Sequence, residues 1–130
     1  MRKFKTGLII LFIAVLCIPG PVAAKKSSLL DQQLAELGYK QGSKAAFIQD
    51  FNLEDRTYVN NKSIIVPDGN AKPYLVIFWE TCQGIATKRM EARTFKVKGQ
   101  LAKYDRVVTR YETNDLAKCQ VKFLYELDPV

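Results

Sequence analysis

The chain has no histidine, and this single absence removes the general base on which serine and cysteine nucleophiles usually depend. Cysteine is scarce, with three in 130 residues, so a zinc site would have neither imidazole nor enough thiolates to hold the ion. No glycine-rich phosphate loop and no dinucleotide fingerprint occurs in the sequence, which leaves nucleotide-dependent chemistry without a motif. The residues therefore call for no cofactor and no metal. Long apolar runs are missing too. The main one, GLIILFIAVLCI at residues 7–18, is about half the roughly 20 residues that a bilayer span requires.

That run is placed instead like the centre of a secretion signal. Arg2, Lys3 and Lys5 precede it, Pro19, Gly20 and Pro21 break it, and Val22, Ala23 and Ala24 offer small side chains before Lys25. Residues 1–24 are read as a signal peptide, with an uncleaved anchor as the alternative. Residues 25–130 then form a single exported domain, periplasmic or secreted. Leu16 is bulky where a lipid-attachment signal needs a small residue ahead of Cys17, so a lipoprotein is disfavoured and Cys17 leaves with the signal. Loss of Arg2, Lys3 and Lys5, with no acidic residue among them, lowers the formal charge by three, from +7 to +4.

Export leaves Cys82 and Cys119 together in an oxidising compartment, where paired thiols become disulfides. Two free buried thiols, or metal ligands without histidine, are the alternatives. The local patterns favour the bridge. Tyr74 to Trp79 are six consecutive apolar residues, too few for a helix and rich in β-branched and aromatic types, as in a strand buried on both faces. That strand runs through Glu80 into Cys82. Near the other end, Cys119, Val121, Phe123, Tyr125 and Leu127 alternate with Lys118, Gln120, Lys122, Leu124 and Glu126. Such alternation predicts one core face and one mainly solvated face, with Cys119 on the core side. A bridge over a loop of this length contributes about 4 kcal/mol by restricting the unfolded chain.

Elsewhere, Leu30, Leu34 and Leu37 mark one face of a short helix that Ser28 can cap and Gly38 can end. The polar run Tyr39–Lys44 reads as a loop, and Ala45–Phe51 fits either helix or strand. Thr57–Asn60 and Lys62–Val66 read as strands, and Pro67, Asp68 and Gly69 make a turn that pairs the second of them with the Tyr74–Trp79 strand. Met90 and Ala92 share one parity while Phe95 and Val97 share the other, which predicts a bulge or a strong bend between them. Tyr104–Tyr111 reads as a further strand, followed by a turn at Glu112–Asp115. The predicted fold is mainly β (α+β): a small antiparallel sheet of about five or six strands with one N-terminal helix, partial closure into a barrel being one option.

Three short motifs carry a resemblance. YLVIFWETCQGI holds a strand running into Cys82, Gln83, Gly84 and Ile85; the step Leu101, Ala102, Lys103, Tyr104, Asp105 follows; and Cys119, Gln120, Val121 opens the last strand. Together, over roughly Ala45 to Leu127, they resemble a family of small exported bacterial proteins known as domain of unknown function 6491. The resemblance implies export and a small β-rich fold, and it brings no activity, substrate or catalytic residue. Ala102, and a residue near Ala46, stand where the pattern leads one to expect cysteines, which implies that a second bridge is missing and that Cys82–Cys119 is the one retained.

Two sets of residues qualify as functional candidates. Between Lys88 and Arg110 lie Lys88, Arg89, Arg93, Lys96, Lys98, Lys103, Arg106 and Arg110 against only Glu91 and Asp105. A face built from them would attract phosphates, anionic glycans or lipid headgroups, whereas the bland reading is a solvated, lysine-guarded edge. Nucleic acid calls for aromatics interleaved with the charge, and only Phe95 and Tyr104 are at hand. The second candidate is a carboxylate, Asp105 first and Glu80 next, acting as an acid or base; the bland reading has Asp105 bonding to backbone or to Arg106 or Arg110. The aromatics Tyr74, Phe78, Trp79, Phe123 and Tyr125 are expected in the core. The function predicted is a non-enzymatic exported binding or interaction module whose partner is a protein or an anionic envelope component. A small exported enzyme using Asp105 is the alternative.

Overall fold

The computed structural model describes residues 28–130, and the expected signal segment, its cleavage point and Cys17 lie outside them. Helix α1 (Leu29–Glu36) leads into β1 (Tyr39–Lys44) and β2 (Phe47–Gln49), then a 3-10 turn at Leu53–Asp55. There follow β3 (Thr57–Asn60), β4 (Ser63–Pro67), β5 (Pro73–Phe78), β6 (Arg89–Thr94), β7 (Gln100–Ala102), β8 (Arg106–Tyr111) and β9 (Asn114–Pro129). Every pairing is antiparallel. Seven strands form one sheet in the order β3-β4-β5-β9-β8-β6, with β1 also on β9, while β2 and β7 pair separately. The order ends at β3 on one side and β6 on the other, so the sheet stays open and no barrel closes among the described residues.

The sheet is organised around β9, whose 16 residues serve three partners. Gln120 accepts a backbone hydrogen bond from Trp79 at 3.1 Å, whereas its neighbour Val121 exchanges bonds with Tyr104 (2.8 Å) and Asp105 (2.9 Å). Adjacent residues of an antiparallel strand direct their backbone groups to opposite edges. Hence β5 holds one edge of β9, and β8 and β1 divide the other between them.

The alternation of β9 is interrupted where it matters most. Ile77 pairs with Phe123, but Phe78 pairs with Val121, so Lys122 is an extra residue. A bulge of this kind reverses the parity beyond it. Cys119, Val121 and then Leu124 belong to one core, whereas Tyr125 and Leu127 belong to a second core on the opposite face. The expectation of one apolar face from Cys119 to Leu127 is corrected accordingly. Phe123 and Leu124 are both apolar, so the letters do not show where the face changes.

The first core collects Ile64, Val66, Val76, Phe78 and Val107 from the large sheet, and it is covered by Ile48 and Leu101 of the β2–β7 pair, Leu53, Cys82 and Ile85. The second lies under α1, where Leu34 meets Val59, Ile65, Leu75 and Leu127. Ser28 caps α1 by accepting from the Asp31 N–H at 3.0 Å, and Gly38, at φ +92°, ends it in a conformation that suits glycine. Leu37 is 40% exposed, so the apolar stripe narrows to Leu30 and Leu34.

Cys82 and Cys119 are joined, with Cα atoms 5.7 Å apart and a sequence separation of 37. Both lie in the first core. The bridge fastens the connection after β5 to the middle of β9, and a loop of this size contributes about 4 kcal/mol in the chain-entropy account.

Two further expectations are revised and one open reading is decided. Tyr39–Lys44 is a strand and not a loop, because β9 offers a free edge that polar residues can line with one side in water. Gly42 permits that approach: a Cβ there would lie 3.0 Å from the Glu126 carbonyl oxygen and 2.9 Å from Asp128 Oδ2. The undecided segment Ala45–Phe51 contains β2, which pairs through Phe47, Ile48 and Gln49 with Ala102, Leu101 and Gln100. Finally, Tyr104 does not open a strand. It sits at φ +75° in the turn between β7 and β8.

Candidate functional site

Cross-strand partners in a sheet share a face, and the registers Arg89↔Arg110, Glu91↔Val108 and Val108↔Lys118 therefore set one row of side chains across β6, β8 and β9. This row lies on the α1 side of the sheet, opposite Met90, Val107 and Cys119 of the first core. Helix α1 covers the β3–β4–β5 end, β1 and the Leu127 end of β9. The β6–β8–β9 end is left to arginine and lysine.

Of the sequence-predicted basic residues, Arg89, Arg93, Arg106 and Arg110 are brought together here, and they are not all free. Glu91 lies 3.3 Å from Arg89, 3.4 Å from Arg93 and 3.6 Å from Arg110; Asp115 lies 3.1 Å from Arg93 and 3.8 Å from Arg110. Three arginines thus share two carboxylates. Arg110 also donates to the Thr113 carbonyl at 2.8 Å, while its buried Nε has no hydrogen-bond partner among the described residues. Arg106 and Lys118 take part in no ion pair among the described residues, and with Arg93, Val108 and Asp115 they line a depression of about 190 Å³. Lys118 was absent from the sequence-based set because it belongs to a different segment, and only the β8–β9 register brings it beside Arg106.

The other predicted cations lie elsewhere. Lys88 extends over the ring of Tyr111, 4.2 Å from its centroid. Lys96 and Lys98 are exposed on the connection between β6 and β7.

Asp105 is 3% exposed, yet its carboxylate is already engaged. Oδ2 accepts from the Ala102 N–H at 2.8 Å, and the Asp105 N–H donates to the Ala102 carbonyl at 3.1 Å. The side chain closes the β7–β8 turn that places Tyr104 and Asp105 against Val121. Glu80 is exposed in the bend after β5. Ala46 and Ala102 lie at the same end of the β2–β7 pair, since Phe47 is the register partner of Ala102.

Arg56 escaped the sequence reading. Its guanidinium donates to the Ile85 carbonyl at 2.8 Å, to the Leu53 carbonyl at 3.0 Å and to the Lys88 carbonyl. Partial burial holds its pKa below the ordinary arginine value, and the guanidinium still serves as a cationic clamp. The clamp shapes the outer wall of the segment 81–88, beside which an uncharged groove of about 550 Å³ runs past Tyr58, Asn61, Thr81, Gln83 and Thr87. No short sequence pattern marks such an arginine, because its acceptors are backbone carbonyls up to 32 residues away.

The aromatics divide in a way the sequence did not show. Phe78 is buried, as expected, but Trp79 is 46% exposed, which corrects its assignment to the core. The strand ends at Phe78, and Trp79 falls on the α1 side of the sheet beyond the reach of the helix. Beside it the bulge turns Lys122 and Phe123 to that same side. Lys122 Nζ lies 4.9 Å from the Trp79 ring centroid and 5.4 Å from that of Phe123, and Lys44 and Lys103 approach the Phe123 ring to 4.8 and 5.2 Å.

Among the described residues no group of three or more histidine, cysteine, aspartate or glutamate side chains is placed to hold a metal ion, and no helix is long and apolar enough to cross a membrane. No family model matches the chain, and neither a curated protein nor a solved structure matches it.

Proposed function

We propose that this small disulfide-bonded β-rich chain is a non-enzymatic binding module of an exported compartment, and that it takes an anionic component of the cell envelope on the uncovered β6–β8–β9 face. The observation that carries the reading is the pairing state of that face: Arg106 and Lys118 flank the same depression without carboxylate partners, next to three arginines that share two carboxylates. An incoming anion would complete the neutralisation. The basic N-terminal segment ahead of an apolar run supports export, as does a buried disulfide. Membership of the domain of unknown function 6491 family belongs to the same proposal and rests on the Cys82, Leu101–Asp105 and Cys119 motifs.

The carboxylate-enzyme alternative has its main candidate in Asp105, whose side chain is occupied in closing a turn, so the binding reading is preferred. It is tested by retention of the exported chain on an immobilised anionic polymer such as heparin. An R106E/K118E variant should elute at much lower salt while melting at the same temperature. Unchanged elution would remove this face from the reading.

A further inference from the structure

The patch formed by Trp79, Tyr104, Phe123, Lys44, Lys103 and Lys122 continues the basic face along β9, and it has a different composition. Lys118, Gln120, Lys122 and Phe123 follow one another on the same side of that strand, because the bulge keeps Lys122 and Phe123 together. Three ammonium groups converge on the Phe123 ring within 5.4 Å of its centroid. Lys122 also covers Trp79 and Lys103 covers Tyr104. None of the three lysines makes an ion pair among the described residues. Like charges gathered around one ring repel each other, and an extended anionic surface relieves that repulsion more fully than a single carboxylate does.

We infer that this patch is where the module rests on an anionic phospholipid surface. The inference depends on the binding reading above and specifies its partner. Trp79 and Tyr104, 46% and 53% exposed, are amphipathic rings of the kind that settle at the headgroup level of a bilayer. Lysine presents a compact charge on a flexible stem, which suits a fluid array of lipid phosphates better than it suits one fixed ligand. On docking, the ammonium groups leave the ring faces for the phosphates, and the rings settle among the headgroups. Single-stranded nucleic acid is the less favoured partner, because export, the premise of the binding reading, brings the chain to lipid phosphates and away from nucleic acid.

Trp79 is the only tryptophan in the chain, so its fluorescence reports on the patch directly. With the full exported chain, vesicles containing phosphatidylglycerol should shift the emission to the blue, protect Trp79 from acrylamide and sediment the protein. Pure phosphatidylcholine vesicles should do none of these. Each lysine near such a surface is worth roughly fivefold in binding, so K44E/K103E/K122E should lose about a hundredfold or more, and K96E/K98E should lose far less. Three results would overturn the inference: sedimentation with Trp79 still open to acrylamide, the same emission change from inorganic phosphate at matched concentration, or a stronger response to a single-stranded oligonucleotide. If vesicles fail while retention on heparin still depends on Arg106 and Lys118, the bilayer is wrong and the binding module stands. If both fail, both readings fall. Equal melting temperatures for the variants, whose changes are confined to surface side chains, exclude misfolding as the cause.

Discussion

On one side of the sheet, fourteen buried residues among those described form a core together with β2, β7, the 3-10 turn and the segment that carries Cys82, which close it. On the other side five described residues, Leu34 of α1 among them, form a smaller core, and the remaining length is faced with arginine, lysine and exposed aromatics. The same strands supply both sides. Ile64 and Val66 point into the larger core while Ile65 points into the smaller, and in β8 Val107 is covered while Arg106 and Arg110 are not. Stability is therefore concentrated on the stapled side, and the helix side is free to carry charge over most of its β6–β8–β9 end. A covered side needs apolar packing and satisfied backbone groups. An uncovered side tolerates a cluster of like charges, because water screens it until a ligand arrives.

This contrast can be broken at its strongest point first. Removing the bridge with C82A/C119A should lower unfolding free energy by about 4 kcal/mol, read from denaturant titration. If heparin retention survives in the fraction that stays folded, the two sides are separable. A smaller effect is expected at Arg56. Arg56→Ala leaves the Leu53, Ile85 and Lys88 carbonyls without their donor and should cost about 2 kcal/mol, while Arg56→Lys restores little because it lacks the planar fork. Faster amide exchange in residues 81–88 would localise that loss to the stapled side. The smallest change in stability belongs to the charged side. Glu91→Gln with Asp115→Asn should alter unfolding free energy by no more than about 1 kcal/mol, yet it releases three arginines and should move heparin elution to higher salt. Elution at lower salt instead would mean that the carboxylates orient the arginines for binding and do not compete with the ligand.

Much of the architecture was legible in local chemistry. Ser28 and Gly38 bounded the helix, Asp68 in the β4–β5 turn accepts from the Asn70 and Lys72 N–H groups at 2.8 and 2.9 Å, and the parity slip after Ala92 coincides with a register shift toward Thr94. These features depend on residues close in sequence. The errors came from elements that exist only because a partner strand is present. β1 is polar apart from Tyr39, and only the edge of β9 makes it a strand. The bulge at Lys122 is invisible because apolar residues follow on both parities. In the candidate site, four of the eight basic residues between Lys88 and Arg110 do converge, namely Arg89, Arg93, Arg106 and Arg110. Lys118, Asp115 and the Trp79 patch had no local signal, since their neighbours are set by strand register across three separate segments.

By itself, the amino-acid sequence determined the chemical repertoire and the local punctuation of this protein: no histidine, one cysteine just past an apolar strand and another inside an alternating one, capped helix and tight turns. Composition and short-range backbone preference are properties of neighbouring residues, and they read directly. Only the tertiary structure decided which charges are spent on each other and which remain. Glu91 and Asp115 neutralise particular arginines because pairing of β6, β8 and β9 places them within 4 Å. One extra residue in β9 likewise turned Lys122 and Phe123 to the same side, beside the one tryptophan that the core did not enclose.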